Sequence, residues 1–329
     1  MATMSKRSRR KKIAIVVASL VLLFVALYIG LRLLEATVLF PEQEEVVGTR
    51  KTIFRDDIAY FPRQNMTVLL VMGIDEDGPA VDSNSYRNYG EADMNMLLIF
   101  DEAAESCTVL HLNRDTMLEI PVLGIGGRQA GTYYGQLALS HTYGTGLADS
   151  CENTRQTISD FLYGIDIDYY IAMNMDAIAI LNDAVGGVTV NVTEDFSRVD
   201  PTITRGQVHL MGNHAINYVR TRKDVGDQLN LSRIERHKEY LDGFVDAFRA
   251  KREADPEFMV KAYEDVAPYI VTDCSLNAIT GMMDRYGEYA IGEVLSPEGE
   301  NVAGEEYMEF YVDEEKLDAL ILRLFYAAK

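Results

Sequence analysis

Residues Met66 to Gly73, MTVLLVMG, form an almost wholly apolar run closed by a glycine. A run of this kind reads as a strand covered on both faces, because a half-exposed strand would alternate with polar residues. The chain must therefore supply a layer on each side of it. Asn95 to Phe100 and Thr108 to Leu112 repeat the pattern. Between Gln136 and Tyr163 the apolar period lengthens, and Leu137, Leu139 and Tyr143, then Ile158, Phe161 and Leu162, predict two helices. Tyr169 to Met173 reads as a strand, Met175 to Ala184 as a helix, and Val188 to Val192, after Gly186-Gly187, as another strand. Strands alternating with helices predict an α/β domain with a central, mixed sheet. After Gly212 come a helix through about Arg220 and a longer one from about Leu231 to Lys251. Beyond Asp255 the chain reads as helical, with strand-like pieces near Gly292 to Leu295 and Glu309 to Val312. A closing amphipathic helix, from about Glu314 to Ala327, carries no catalytic signature and is expected to pack.

The N-terminus sets the topology. Lys6-Arg7-Ser8-Arg9-Arg10-Lys11-Lys12 precedes an apolar run from Ile13 to Leu31. At about 1.5 Å per residue that run reaches roughly 28 Å, the thickness of a bilayer's hydrocarbon core. The basic flank stays on the cytoplasmic side, which sends everything after about Glu35 outward. A cleaved signal peptide competes with this reading, but the run exceeds the usual ~7 to 15 residues and no small-x-small cleavage site follows. The expected organisation is a cytoplasmic basic tail (1–12), a single-pass membrane anchor (13–34), an extracellular stalk (35–65), a catalytic domain (66–252) and a C-terminal helical extension packed on it (253–329). Cys107, Cys151 and Cys274 are odd in number and lack metal-site or CxxC spacing, so no disulfide framework is implied, although one bridge stays open.

Against a formal net charge of -20 the chain places one cationic knot. Tyr218-Val219-Arg220-Thr221-Arg222-Lys223 is followed, after a short acidic loop, by Asn230-Leu231-Ser232-Arg233-Ile234-Glu235-Arg236-His237. At about 100° per residue with Arg233 at zero, His237 falls near 40° and Arg236 near -60°, bordering the apolar face made by Leu241, Phe244 and Phe248. Cations in a helix's first turns oppose its dipole, so something compensates them. Ion pairs with Asp224, Asp227 and Glu235 serve one arginine but serve four poorly. Arginine forks and helix N-terminal amides together suit phosphate. Acid or acid-arginine groups also fall at strand ends: Gly73-Ile74-Asp75, Glu91-Ala92-Asp93 and Asn113-Arg114-Asp115-Thr116. In open α/β sheets functional groups gather there. Two carboxylates suit Mg²⁺, which takes one or two of them plus phosphate oxygens. Each aspartate taken alone reads equally well as a turn cap. Nucleic acid is excluded as a partner, since the exported part holds 24 basic against 51 acidic residues and would repel a polyanion.

These spaced motifs, with Leu181 through Gly186-Gly187-Val188-Thr189-Val190 and Gly212 to Ala215 between them, resemble the LytR-CpsA-Psr family over about Met66 to Phe244. That family consists of membrane-anchored enzymes that transfer glycopolymers from polyprenyl-pyrophosphate carriers to the peptidoglycan of Gram-positive walls. The resemblance implies a three-layer α/β/α sandwich with a hydrophobic tunnel for the polyprenyl tail below the sheet. It implies Mg²⁺, with Mn²⁺ as a substitute, at Asp75 and Asp93. It further implies that Arg114, Arg220, Arg222 and Arg233 bind the pyrophosphate, with Asp115 supporting Arg114 and with Arg236 and His237 contributing. Asp75, Asp93, Arg114, Arg220 and Arg222 are the expected catalytic set. Three positions depart from the family pattern: Glu91 replaces an arginine two residues before Asp93, Asn230 replaces an aspartate, and His237 replaces a glutamine. Arg87 is the nearby cation that would substitute for the missing arginine. The implied reaction is glycopolymer transfer. A lipid-linked glycan binder or regulator of weak activity, motivated by Glu91, and a polyprenyl-pyrophosphate-glycan pyrophosphatase are the alternatives.

Overall fold

The computed structural model describes residues 52 to 328 apart from 56–57, 125, 222–224, 226–229, 256 and 306. The expected basic tail and the expected span over residues 13–34 lie outside the described residues. Among the described residues no helix is long and apolar enough to cross a membrane.

In chain order the elements are β1 (Ile53–Arg55), β2 (Ile58–Pro62), β3 (Met66–Ile74), β4 (Ala92–Asp101), β5 (Ser106–Leu112), β6 (Met117–Leu123), β7 (Gln129–Gln136), a 3₁₀ helix (Leu137–Thr142), α1 (Ala148–Phe161), β8 (Tyr169–Asn174), α2 (Met175–Ala184), β9 (Val188–Val192), β10 (Gly206–Leu210), α3 (Asn213–Arg220), α4 (Asn230–Ala254), α5 (Phe258–Val266), β11 (Ile270–Thr272), α6 (Leu276–Tyr286), β12 (Ala290–Leu295), β13 (Gly299–Ala303), β14 (Met308–Val312), α7 (Glu314–Phe325) and β15 (Tyr326–Ala328). Six strands make the central sheet in the order β11-β8-β3-β4-β5-β12. The β8–β3 and β5–β12 pairs are parallel and the other pairs antiparallel, which makes the sheet mixed.

The alternation of β3 divides the molecule. Val68, Leu70, Met72 and Ile74 point to one face, where they are at most 2% exposed and pack with Ile158 of α1 and Leu317, Ile321 and Phe325 of α7. Leu69, with Phe100 and Cys107 of the neighbouring strands, points to the other, where Met282 and Tyr286 of α6 meet it. A strand apolar at every position thus has two layers to satisfy, as its sequence demands.

A second core lies beside the sheet. Here β9, which reads from sequence as another strand, pairs among the described residues with β10 alone. Val188, Val190 and Val192 pack with Leu210, Ala215 and Tyr218. Gly186 and Gly187 turn the chain into β9 at φ +90° and +91°, a region closed to most side chains. In α4, a Cβ at Gly243 would sit 2.7 Å from the Thr189 carbonyl oxygen, so glycine lets this helix press onto β9.

Residues beyond 253, expected to pack on the domain, supply β11 and β12 as the two edges of the central sheet and α7 on its filled face. The end of the expected stalk folds too, since β2 pairs with both β1 and β15. The β6–β7 hairpin was absent from the sequence reading because β7, QAGTYYGQ, has no apolar alternation to betray it.

Candidate active site

The site begins with an irregularity in the β3–β4 ladder. Gly73 pairs with Met94 and Ile74 with Ala92, which leaves Asp93 as the extra residue of a bulge. Bulges re-aim a side chain, and this one brings Asp93 to the end of β3 beside Asp75. The carbonyl of Glu91 fixes both, accepting the backbone N–H of Asp75 at 2.9 Å and of Asp93 at 3.0 Å.

Arg114, at the end of β5, divides its guanidinium among three carboxylates. Its Nη1 donates to Asp93 Oδ1, Nη2 to Glu91 Oε2 at 2.7 Å and Nε to Asp115 Oδ1 at 3.3 Å. Gln136 at the end of β7 holds Asp115 in place through a 2.9 Å bond to the same oxygen. Burial works against the charge of Arg114, but Asp93, Glu91 and Asp115 more than offset it, raising its pKa. Arg220, the last residue of α3, donates to Asp75 Oδ1 at 2.5 Å. Arg233 is buried in the second turn of α4, with Nη2 3.4 Å from the Asp93 carbonyl. Burial raises the Asp93 carboxyl above its ordinary range; Arg114 and Arg233 pull it down, while Asp75 and Glu91 push it further up.

Below these charges the open face of the sheet is hollow. A cavity of about 300 Å³ is lined at one end by Asp93, Arg220, Arg233 and His237, and elsewhere by Leu69, Val71, Met96, Leu98, Ile178 and other apolar groups. A second cavity, of about 290 Å³, shares Leu98, Ile171, Met173, Leu181, Leu241 and Phe244 with it and continues toward Phe100, Cys107 and Tyr286. From Asp93 to Phe100 along β4 is about 23 Å. The pair is a mostly apolar passage, with Asp93, Arg220 and Arg233 lining the first cavity and Arg249 and Arg252 among the residues that line the second.

The structure thus brings Asp75, Asp93, Arg114, Asp115, Arg220 and Arg233 together. Arg222 lies outside the described residues. Arg236 and His237 take other places. Arg236 is buried, bridges to Glu194 at 2.9 Å and donates to the carbonyls of Tyr218 and Thr221. Its fork therefore holds the end of α3 and so aims Arg220, and its ion pair is with Glu194, a partner not weighed from sequence. His237 lines the cavity, but its Nε2–H donates to the Val219 carbonyl at 2.9 Å. Its Nδ1 then accepts from His111 Nε2, 3.4 Å away. Burial, with Arg233 adding to it, lowers His237 to about 3. His111 is lowered too, chiefly by burial. Both rings are neutral at physiological pH and join α4 to β5. Arg87 does not substitute at Glu91, because its guanidinium stacks 4.2 Å over the Tyr143 ring. Glu194, Gln136 and His111, which hold the site residues, had no sequence signal, since each acts through a contact distant along the chain.

No cluster of three or more His, Cys, Asp or Glu able to hold a metal occurs among the described residues. Asp75 and Asp93 still fit one divalent ion. Three arginines, 114, 220 and 233, face four carboxylates, 75, 91, 93 and 115, so a bound pyrophosphate would leave the site strongly anionic unless a cation came with it.

Comparison with known proteins places this geometry. The model of the LytR_cpsA_psr family matches residues 42–324. The polyisoprenyl-teichoic acid–peptidoglycan teichoic acid transferase TagU of Bacillus licheniformis is 26% identical over 247 residues, 73% of this chain and 71% of that protein. The protein of the same name from Bacillus subtilis is 26% identical over 192 residues, 58% of this chain and 55% of its own length. Among solved structures, a TagT bound to LI-WTA superposes with a TM-score of 0.60 at 21% identity, covering 79% of this chain and 90% of that one. Bacillus subtilis TagV gives 0.60 at 22%, covering 80% and 96%. These two share the fold.

Proposed function

Because this chain belongs to the LytR_cpsA_psr family, we propose that it is a membrane-anchored, extracellular phosphotransferase that moves a glycopolymer from a polyprenyl-pyrophosphate carrier to peptidoglycan. One observation carries the reading: Arg220, Arg233 and Asp93 line one of two joined cavities whose walls are otherwise mostly apolar, with Arg249 and Arg252 lining the second. A ligand complementary to both parts is an amphiphile with an anionic head and a long hydrocarbon tail. The names of the relatives, which act on polyisoprenyl-linked teichoic acid, support the same class.

In this reading Arg114, Arg220 and Arg233 bind the phosphates, and Asp75 and Asp93 hold a Mg²⁺ ion, for which Mn²⁺ substitutes. The ion supplies neutralisation of phosphate charge. An acceptor hydroxyl attacks the sugar-proximal phosphorus, the phosphoanhydride bond breaks, and polyprenyl phosphate leaves. The hydroxyl proton passes to a carboxylate oxygen of Asp75 or Asp93. Such transfer needs mainly positioning and charge stabilisation, which this set of groups provides. The apolar run at residues 13–31 would hold the domain at the outer face of the membrane where the carrier resides.

A specific contact favours a second reading. Glu91 occupies Arg114 Nη2 and sets a negative charge beside the phosphate-binding groups, which suits a protein that holds the carrier with weak turnover. The deciding experiment uses the chain from about Glu44 onward with a polyprenyl-pyrophosphate-linked saccharide and Mg²⁺, with and without peptidoglycan fragments. Acceptor-stimulated release of polyprenyl phosphate, lost in Arg220→Ala, is expected. Tight binding without turnover would make the protein a binder, and equal release with and without acceptor would make it a pyrophosphatase.

A further inference from the structure

The β6–β7 hairpin leaves the reaction centre and returns to it. It starts two residues after Asp115 and ends at Gln136, whose amide holds Asp115, while the Ala138 N–H donates to the Arg114 carbonyl at 3.0 Å. Between these ends β7 is exposed from Gln129 to Tyr134 and, among the described residues, pairs only with β6. Its eight residues extend about 26 Å and leave one edge of backbone N–H and C=O groups open.

Tyrosines stand on this hairpin and on the loop of residues 86–89 that meets its tip. Tyr133 is 41% exposed, and its ring centre lies 6.0 Å from that of Tyr143. Arg87 stacks on Tyr143. At the hairpin tip, a Cβ on Gly127 would come within 3.2 Å of the Tyr86 ring, so that ring rests on the tip. Tyr89 is 94% exposed. The loop carrying Tyr86, Arg87 and Tyr89 is fixed from within, because the Asn88 amide donates to the carbonyls of His141 and Gly144 and to Ser150 Oγ. Two residues past Tyr89, Glu91 pairs with Arg114. This surface is therefore continuous with the phosphate-binding groups.

Exposed tyrosines on a fixed frame suit a ligand with one apolar side and polar edges. A pyranose ring has that character: its C–H face stacks on an aromatic ring while its hydroxyl and acetamido groups reach donors and acceptors at the rim. We propose that the Tyr86–Arg87–Tyr89–Tyr133 strip seats the glycan strand of the peptidoglycan acceptor and leads one of its hydroxyls to the phosphorus beside Arg114. Tyr133 and Tyr89 stack on sugar rings, and the Arg87 guanidinium and the open β7 edge hydrogen-bond the groups between them. The opposite face of the hairpin is the internal contrast. Tyr134 lies there, paired across the strands with exposed Glu119.

This inference rests on the proposed transfer reaction but is tested separately from it. The ectodomain from about Glu44 is titrated, without lipid donor, with soluble uncross-linked peptidoglycan glycan strands, and the acceptor KM is measured in the transfer assay. Tyr133→Ala and Tyr89→Ala are each expected to raise the Kd and the acceptor KM by about five- to tenfold. Donor KM and acceptor-independent hydrolysis should stay unchanged, and Tyr134→Ala should behave as wild type. Tyr89 projects into solvent, so its removal leaves the fold intact and guards against a misfolding Tyr133 variant. Glycan binding insensitive to both substitutions, or equally sensitive to Tyr134→Ala, would overturn the assignment. Loss of glycan binding in Tyr133→Ala with transfer undiminished in Arg220→Ala would uphold the glycan site while refuting the phosphate chemistry.

Discussion

The two faces of the central sheet are made from the same strands, yet one is filled and the other hollow. On the filled face Leu70 and Met72 are completely buried between α1 and α7. On the other, Val71 and Leu98 look into cavities of about 300 and 290 Å³. Both sets of side chains are equally apolar, so composition does not separate them. What separates them is the layer above. Helix α7 lays Leu317, Ile321 and Phe325 into the filled face, whereas α4 stands off the open face with Leu241 and Phe244 lining the gap between. The filled face supplies stability, and the open one gives up packing for a passage.

That contrast can be broken by mutation. Leu70→Ala on the filled face is expected to cost about 2–5 kcal/mol in urea denaturation, because its packed surroundings cannot collapse into the space. A cost below about 1 kcal/mol would mean that the filled face is not the structural core. The next largest effect is one of pH. His111 and His237 are buried neutral at the edge of the open face. The unfolded chain protonates them near pH 6.5 and the folded one does not, so stability should fall as pH drops from about 6.5 toward 3. His237→Gln should flatten the dependence of the denaturation midpoint on pH over that window. An unchanged slope would show that the imidazoles titrate alike in both states. A smaller effect is expected from narrowing the passage. Leu98→Trp should cost no more than about 3 kcal/mol of stability but lower kcat/KM for long-chain donors about tenfold, sparing short-chain ones. Equal loss for both chain lengths would detach the cavities from the lipid tail.

Much of this was legible in the sequence, and the boundary is physical. The strands β3, β4, β5 and β8 announced themselves as continuous apolar runs, and α2 and β9 fell where periodicity put them, because local pattern reports burial. The meeting of Asp75, Asp93, Arg114 and Arg220 followed from strand and helix ends. Pattern does not report which layer a strand joins, so β9 read as another strand without its sheet, and the chain beyond 253 read as a helical extension although it supplies β11 and β12. Nor does it report which arginine faces the site. Arg233 and Arg236 are three residues apart on one helix, yet one contacts Asp93 and the other Glu194, a difference set by the partner elements. The bulge that aims Asp93 has no sequence mark either.

The smallest expected effect sharpens the comparison at its most polar point, where the open face meets the reaction centre. Glu91 pairs with Arg114 Nη2 at 2.7 Å while its side chain remains 37% exposed. Of the three acids around Arg114 it is the most exposed and the easiest to displace, so an incoming phosphate would take its place. A half-exposed pair of this kind is worth about 1 kcal/mol or less. Glu91→Gln should therefore tighten binding of the pyrophosphate carrier about threefold, measured by titration. It should leave the frame intact, because the Glu91 backbone carbonyl, not its side chain, holds the amides of Asp75 and Asp93. The gain should shrink as salt screens the removed charge. Unchanged affinity would mean that the phosphates bind without displacing Glu91 from Arg114. Weaker affinity would mean that Glu91 aims the arginine rather than competing for it, and the departure from the family pattern would then be part of the binding site.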